Sequence, residues 1–143
     1  MTITAILLPV FVLVAVIFCL LIWTGRARIG HLRQGDVKVA DVVLGQSNWP
    51  TRAQQVSNTY ANQFELPMLF FLLVTFALIT RKADILFVVM SWMFVVTRIF
   101  HAGIYVTSNR IQHRFTVFLI GAIILFLMWI IFALRIFAAE LGV

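Results

Sequence analysis

An asparagine and a glutamate, Asn62 and Glu65, stand at the mouth of the apolar run 66–80. A second polar set follows beyond a charged break at 81–84: Arg98, His101 and Tyr105, then Arg110 and Arg114. Asn58, Asn62 and Glu65 are spaced i, i+4, i+7, and Arg98, His101 and Tyr105 are spaced i, i+3, i+7. Each set therefore predicts one stripe of a helix. The chemistry on offer is the gripping of a small charged molecule. Guanidinium forks match carboxylates bidentately, and a carboxylate receives an amine. Only five residues of the chain are acidic, so a glutamate beside an apolar run needs a reason.

The elements that must position these groups follow from composition. Of 143 residues, 63% are hydrophobic and 11% charged, with a mean hydropathy of +1.06. Those values lie far from a soluble domain and predict one compact membrane bundle. The net charge of +6 is not read as a nucleic-acid surface, because its basic residues flank apolar runs, where they set orientation and meet lipid headgroups. Cys19 is the single cysteine, which rules out an intrachain disulfide. His31, His101 and His113 are too scattered for a metal site, and none is expected.

Four runs are long enough to cross a bilayer once their flanks are included, at approximately 3–24, 58–80, 84–106 and 114–137. A spanning helix needs about 20 residues, and runs this long without alternation exclude spanning strands. The first run lacks the basic start of a signal peptide and is too long for one. The fold class is thus an all-α, four-helix membrane bundle in one domain, 1–143. Loops one and three carry Arg26, Arg28, Arg33, Lys38, Arg52, Arg110 and Arg114, whereas the other side carries Arg81, Lys82 and Arg135. Seven against three predicts cytoplasmic loops one and three, with both termini outside.

The charge-free stretches 66–80 and 85–97 hold only 15 and 13 residues, too few to span, so Glu65 and Arg98 must enter the membrane region. Glu65 lies 16 residues before Arg81, and Arg98 lies 14 after Asp84. Those separations are about 24 and 21 Å of helix, which places the two charges at similar depth. A Glu65–Arg98 ion pair is the economical expectation, with Asn62 and His101 satisfying its ends. A purely structural clasp would meet the same constraint. Against it stands a surplus of donors, since Arg28, Arg98, Arg110 and Arg114 gather near one membrane face around a single carboxylate. Ionisable groups inside a membrane point to a functional site.

"NQFELP" and "RIFHAGIYVTSNRIQHRF" together resemble the MAPEG superfamily, the membrane-associated proteins in eicosanoid and glutathione metabolism, over nearly the whole chain. The sequence looks most like bacterial members of unassigned activity. The resemblance implies a homotrimer of four-helix subunits in a bacterial inner membrane. It also implies glutathione as co-substrate, bound between neighbouring subunits near the cytoplasmic side. Asn62 and Glu65 match the asparagine and glutamate that contact glutathione, the glutamate near its amino end. Arg98, His101 and Tyr105 match the third-helix pattern of the prostaglandin synthase branch. Arg110 and Arg114 fall where that branch has arginines, the second close to the glutathione sulfur, and Arg28 matches the arginine ending the first helix. The sequence departs from the pattern at Asn58, where an arginine is expected; the nearest basic residue before it is Arg52.

The implied activity is glutathione-dependent transfer or peroxide reduction on lipophilic electrophiles that enter from the bilayer. A guanidinium beside the thiol lowers its pKa and so supplies the nucleophilic thiolate. Arg114 is the first candidate for that role and Arg28 the second. The rival is a non-catalytic membrane protein on the same scaffold, binding a lipid or a partner helix, which Asn58 favours. Orientation is open to direct measurement. A cysteine at position 47, in a Cys19→Ser background, is expected to resist an impermeant maleimide added outside intact cells; strong labelling there would reverse the topology.

Overall fold

The computed structural model describes residues 2–45 and 48–141, so the labelling position 47 lies outside the described residues. Its helices are α1 (Ile3–Gln34), α2 (Thr51–Ala61), α3 (Leu66–Ile79), α4 (Ile85–Val106) and α5 (Ile111–Glu140), with 3₁₀ turns at Val39–Asp41 and Asn62–Phe64. α2, the second 3₁₀ turn and α3 form one crossing, Thr51–Ile79, giving four helical segments long and apolar enough to span a membrane. No strand occurs among the described residues. The expected all-α, four-crossing architecture is the one observed.

The helices extend beyond the apolar runs. α1 does not stop near residue 24 but runs to Gln34, passing Gly25 and Gly30. Arg, Leu and Gln in 26–34 are good helix formers. The helix ends only at Gly35, which takes the left-handed conformation (φ 78°) while its N–H reaches back to the His31 and Leu32 carbonyls; glycine adopts that conformation without a Cβ penalty. The second crossing begins at Thr51, after Pro50, rather than near 58. It then breaks at Asn62–Glu65, where Glu65 leaves helical geometry (φ −92°, ψ −101°) and Pro67 restarts the helix within its first turn. A proline fits there because the first N–H groups of a helix have no intrahelical partner.

Helices in lipid gain little from apolar burial against one another, so close packing must hold them. The core supplies it. Leu13, Phe70, Leu73, Phe94, Leu125 and Met128 are buried, and the Phe70 and Phe94 rings lie 4.8 Å apart. α4 and α5 pack closely at Gly121, where an added Cβ would come within 2.6 Å of Thr97 Oγ1. A separate small cluster of Leu20, Val56, Ala102 and Val106 joins α1, α2 and α4 towards the basic end of the bundle.

At the opposite end a bidentate ion pair ties α5 to the start of α4. Arg135 Nη1 and Nη2 donate to Asp84 Oδ1 and Oδ2 at 2.8 and 2.7 Å. The other face of the same carboxylate caps α4, Oδ1 accepting from Phe87 N at 2.9 Å. The Arg135 guanidinium holds the Asp84 carboxyl below its usual range. Asp84 is 46% exposed, so solvent screening limits the pair to below about 1 kcal/mol. A depressed pKa gives stability that is present above the unfolded carboxyl value of about 3.9 and lost as pH falls through the lower folded value. Asp84→Asn keeps a competent cap while removing the pair. It should lower unfolding free energy in detergent by less than about 1 kcal/mol at neutral pH, and the gap from the wild type should close under acid conditions. A gap that persists in acid would assign the loss to the cap instead.

Candidate functional site

The site is built where α4 ends. Beyond its last turn a helix leaves four carbonyls without amide partners, which side chains, turns or water must meet. Here all four are met. The Gly103 carbonyl accepts from Thr107 N at 3.1 Å and Thr107 Oγ1 at 2.6 Å, and the Ile104 carbonyl from Asn109 N at 2.8 Å. The Tyr105 carbonyl accepts from Gln55 Nε2, and the Val106 carbonyl from Arg52 Nη1. α2 is thereby stapled across the end of α4. Neither Gln55 nor Arg52 stands out in the sequence as a capping residue, since each bond joins residues some fifty positions apart.

The tight turn after α4 fixes the next candidate. Asn109 adopts a positive φ of 47°, a conformation asparagine tolerates better than most residues. Its Oδ1 accepts from Arg114 Nη1 at 2.7 Å. Arg114 is thus folded back over α4, with its Cζ 4.1 Å from the Tyr105 ring centroid. That distance is a cation–π contact. The Tyr105 ring in turn lies edge-to-face with His101, 6.2 Å away, and His101 also packs on Phe118 of α5.

Arg98 is the largest fully buried side chain, at 1% exposure. One nitrogen, Nη2, donates to the Asn62 backbone carbonyl at 3.2 Å; that carbonyl sits at the start of the break, where the helical ladder is interrupted. Nε and Nη1 have no partner, and neither does the buried His101 Nδ1. Gln63, also fully buried, donates through Nε2 to the Thr59 carbonyl, but its Oε1 is unmatched. A buried cation with open donors is expensive to hold in place. Gln63 lies off the Asn62–Glu65 stripe and continues the buried face of α2, i+7 from Val56 and i+4 from Thr59.

The expected Glu65–Arg98 ion pair is absent. The described residues contain two ion pairs, His31–Asp36 and Asp84–Arg135, while Glu65 is exposed. The buried positions Val56, Thr59, Gln63, Pro67 and Phe70 keep helical spacing through the turn, so the Asn58–Asn62–Glu65 stripe lies off the face that packs on the bundle. Two further candidates stand apart. Arg110 is exposed at the start of α5, beside an open hollow that it lines with Ser108 and His113. Arg28 is held on the α1–α2 side, where Nε donates to Ser57 Oγ at 3.0 Å and the guanidinium lies over Trp49. The structure brings together the Asn62 backbone carbonyl, Arg98, His101, Tyr105 and Arg114; the Glu65 charge acts on Arg98 without bonding to it, and Arg110 and Arg28 stand apart. Asn58 takes a hydrogen bond from Gln54 Nε2 at 2.7 Å.

The family model described as MAPEG family matches residues 6–134. The chain belongs to the MAPEG family. It is accordingly a multi-pass membrane protein, in keeping with its four apolar helical crossings. No curated protein matches the chain, and no solved structure does. The MAPEG match takes in every residue of the Arg98 cluster, as well as Glu65, Arg110 and Arg28, and stops just short of the Asp84 partner Arg135.

The absent pair makes a measurable difference. Without added ligand, Glu65→Gln and Arg98→Met should combine additively to within about 0.5 kcal/mol, as for residues that do not touch. Arg98→Met alone should leave stability unchanged within about 1 kcal/mol, or raise it, because an apolar side chain of similar length replaces an under-satisfied cation. Chemical unfolding in mixed micelles measures both. A coupling of several kcal/mol would restore the direct pair.

Proposed function

We propose that the protein is a membrane transferase or peroxidase that uses glutathione against lipophilic electrophiles. The observation that carries this reading is Arg98. A guanidinium buried to 1% exposure with two unpartnered nitrogens, next to an unpartnered imidazole nitrogen, is suited to an anion that displaces no existing bond. Glutathione offers two carboxylates, an amine and a thiol. On this reading Arg98 and Asn62 hold a carboxylate end, His101 and Tyr105 orient the peptide, and Arg114 lies beside the sulfur.

Glu65 and Arg110 are exposed on the single subunit, and Arg28 sits on another wall. Assembly as a homotrimer, with the ligand between neighbouring subunits, would give these three a role. Glu65 would then meet the ligand's amino group. The proposed setting is a bacterial inner membrane with loops one and three cytoplasmic, which puts the Arg98 cluster within reach of a soluble thiol. The lipophilic substrate would enter sideways from the bilayer.

The chemical step needs a thiolate. Arg114 has one nitrogen committed to Asn109, and its charge remains available to stabilise sulfur. The thiolate attacks the electrophilic carbon, a carbon–sulfur bond forms, and the leaving group departs with its electron pair. A thiol pKa lowered by two units corresponds to about 2.7 kcal/mol. Losing that shift in Arg114→Ala should cut turnover by roughly one to two orders of magnitude near neutral pH, while Glu65→Gln should chiefly weaken glutathione binding. Conjugation to a chromogenic aryl halide, read beside thiolate absorbance and calorimetry with glutathione, separates the two effects. Unchanged turnover in Arg114→Ala would transfer the role to Arg28. Failure of the wild type to bind glutathione at millimolar concentration would support the non-catalytic alternative.

A further inference from the structure

Two contacts hold the Arg114 guanidinium, one on its face and one on its edge. The Tyr105 ring lies against the face, its centroid 4.1 Å from Cζ, and the Asn109 amide oxygen takes the edge, 2.7 Å from Nη1. Neither partner carries a charge. A cation–π contact at an exposed site is weak beside the rotamer freedom of an arginine, so the ring alone does not hold the side chain. Asn109 adds a constraint through its backbone. Its N–H donates to the Ile104 carbonyl at 2.8 Å, while its φ of 47° turns the chain back towards α4. One residue thus sets where α5 begins and where the arginine of its first turn lies.

That the anchor is an amide, and not a carboxylate, has a chemical consequence. A cation steadies a thiolate to the extent that its charge is not already matched by another anion. The chain has five acidic residues, Asp36, Asp41, Glu65, Asp84 and Glu140, and neither ion pair among the described residues involves Arg114. The titratable and charged groups beside it are His101 and Tyr105 on α4, with Arg110 and His113 on its own turn, and none is an acid. The turn itself does not demand an amide. Aspartate tolerates the same positive φ and would keep the bond, and glycine meets the turn more easily still.

We propose that Asn109 is a positioning residue, which aims the Arg114 guanidinium at the reacting sulfur and, being neutral, leaves its charge uncompensated. This role rests on the glutathione reading above, and it assigns to Asn109 a part that neither the helix stripes nor the arginines reveal.

The test separates the bond from the turn and the charge. Asn109→Gly keeps the turn and loses the bond, whereas Asn109→Asp keeps both and sets a carboxylate against Arg114. Thermal unfolding should be unchanged in each. Glutathione conjugation to an aryl halide, followed against pH, should rise later in both variants. A displacement of about one unit is about a tenfold loss near neutral pH that closes in alkali; a purely structural role would lower turnover alike at every pH. In an Arg114→Ala background Asn109→Gly should change nothing further, because the amide acts through the guanidinium. A second readout needs no ligand. The chain has two tyrosines, Tyr60 and Tyr105, so fluorotyrosine gives two fluorine resonances, assigned by Tyr60→Phe. Asn109→Gly should move the Tyr105 resonance towards its place in Arg114→Ala and leave that of Tyr60 where it was. A wild-type pH profile in either variant, or an unmoved Tyr105 resonance in Asn109→Gly, overturns the proposal. A wild type that neither binds nor conjugates glutathione overturns the thiol reading instead, and Asn109 then stands or falls as the anchor of Arg114 on the fluorine shift alone.

Discussion

Inside a bilayer a backbone carbonyl without a donor has no water to fall back on, and this demand organises the bundle. A helix that stops or breaks must find such donors outside its own ladder. α4 stops at Val106, and its last four carbonyls are answered by Thr107, Asn109, Gln55 and Arg52. The second crossing breaks at Asn62–Glu65, and the Asn62 carbonyl is answered by Arg98. These bonds serve the backbone first. In doing so they lay α2 across α4, fold Arg114 over Tyr105 and bury Arg98, so the candidate site is assembled by the devices that terminate the helices.

The polar groups near that end are unevenly satisfied, and the unevenness is informative. Gln55, Arg52, Thr59 and Asn109 all have partners. Arg98, His101 and Gln63 keep open positions although they are buried. A protein that needed only a structural joint at this depth would be more stable with an apolar residue in place of Arg98. Retaining a guanidinium with two idle nitrogens fits a site whose partner arrives from outside the subunit. The Asp84–Arg135 pair at the other end makes the contrast. There a guanidinium and a carboxylate match both forks, leaving little for a ligand to gain.

Charge and packing divide the two membrane faces in the same way. One end concentrates arginines on tryptophan and tyrosine rings, through Arg28, Arg52 and Arg114. Stacking holds each guanidinium against an aromatic face while leaving edge donors available. The middle is held by tight contacts, such as Gly121 against Thr97 and Phe70 against Phe94. Rigid apolar packing there keeps the polar end in register, and the Ser91 and Thr97 hydroxyls donate to carbonyls of their own helix, Phe87 and Phe94.

The sequence by itself determined the architecture. Run length and apolar share dictate four crossings, because a helix must cover the hydrocarbon thickness and satisfy its own backbone. The shortness of 66–80 and 85–97 likewise required Glu65 and Arg98 to enter the membrane region, and spacing put Arg98, His101 and Tyr105 on one face of α4. Tertiary structure alone decided which of these groups meet. A stripe of polar residues does not say which face packs inward, and the buried face here runs through Val56, Thr59, Gln63 and Pro67, leaving the Glu65 carboxylate outside. Arg52 and Gln55 reach α4 across about fifty residues of sequence, and Arg114 reaches Tyr105 only because Asn109 turns the chain through a positive φ. Periodicity describes one helix at a time; contacts between helices depend on breaks, turns and caps that no single period encodes.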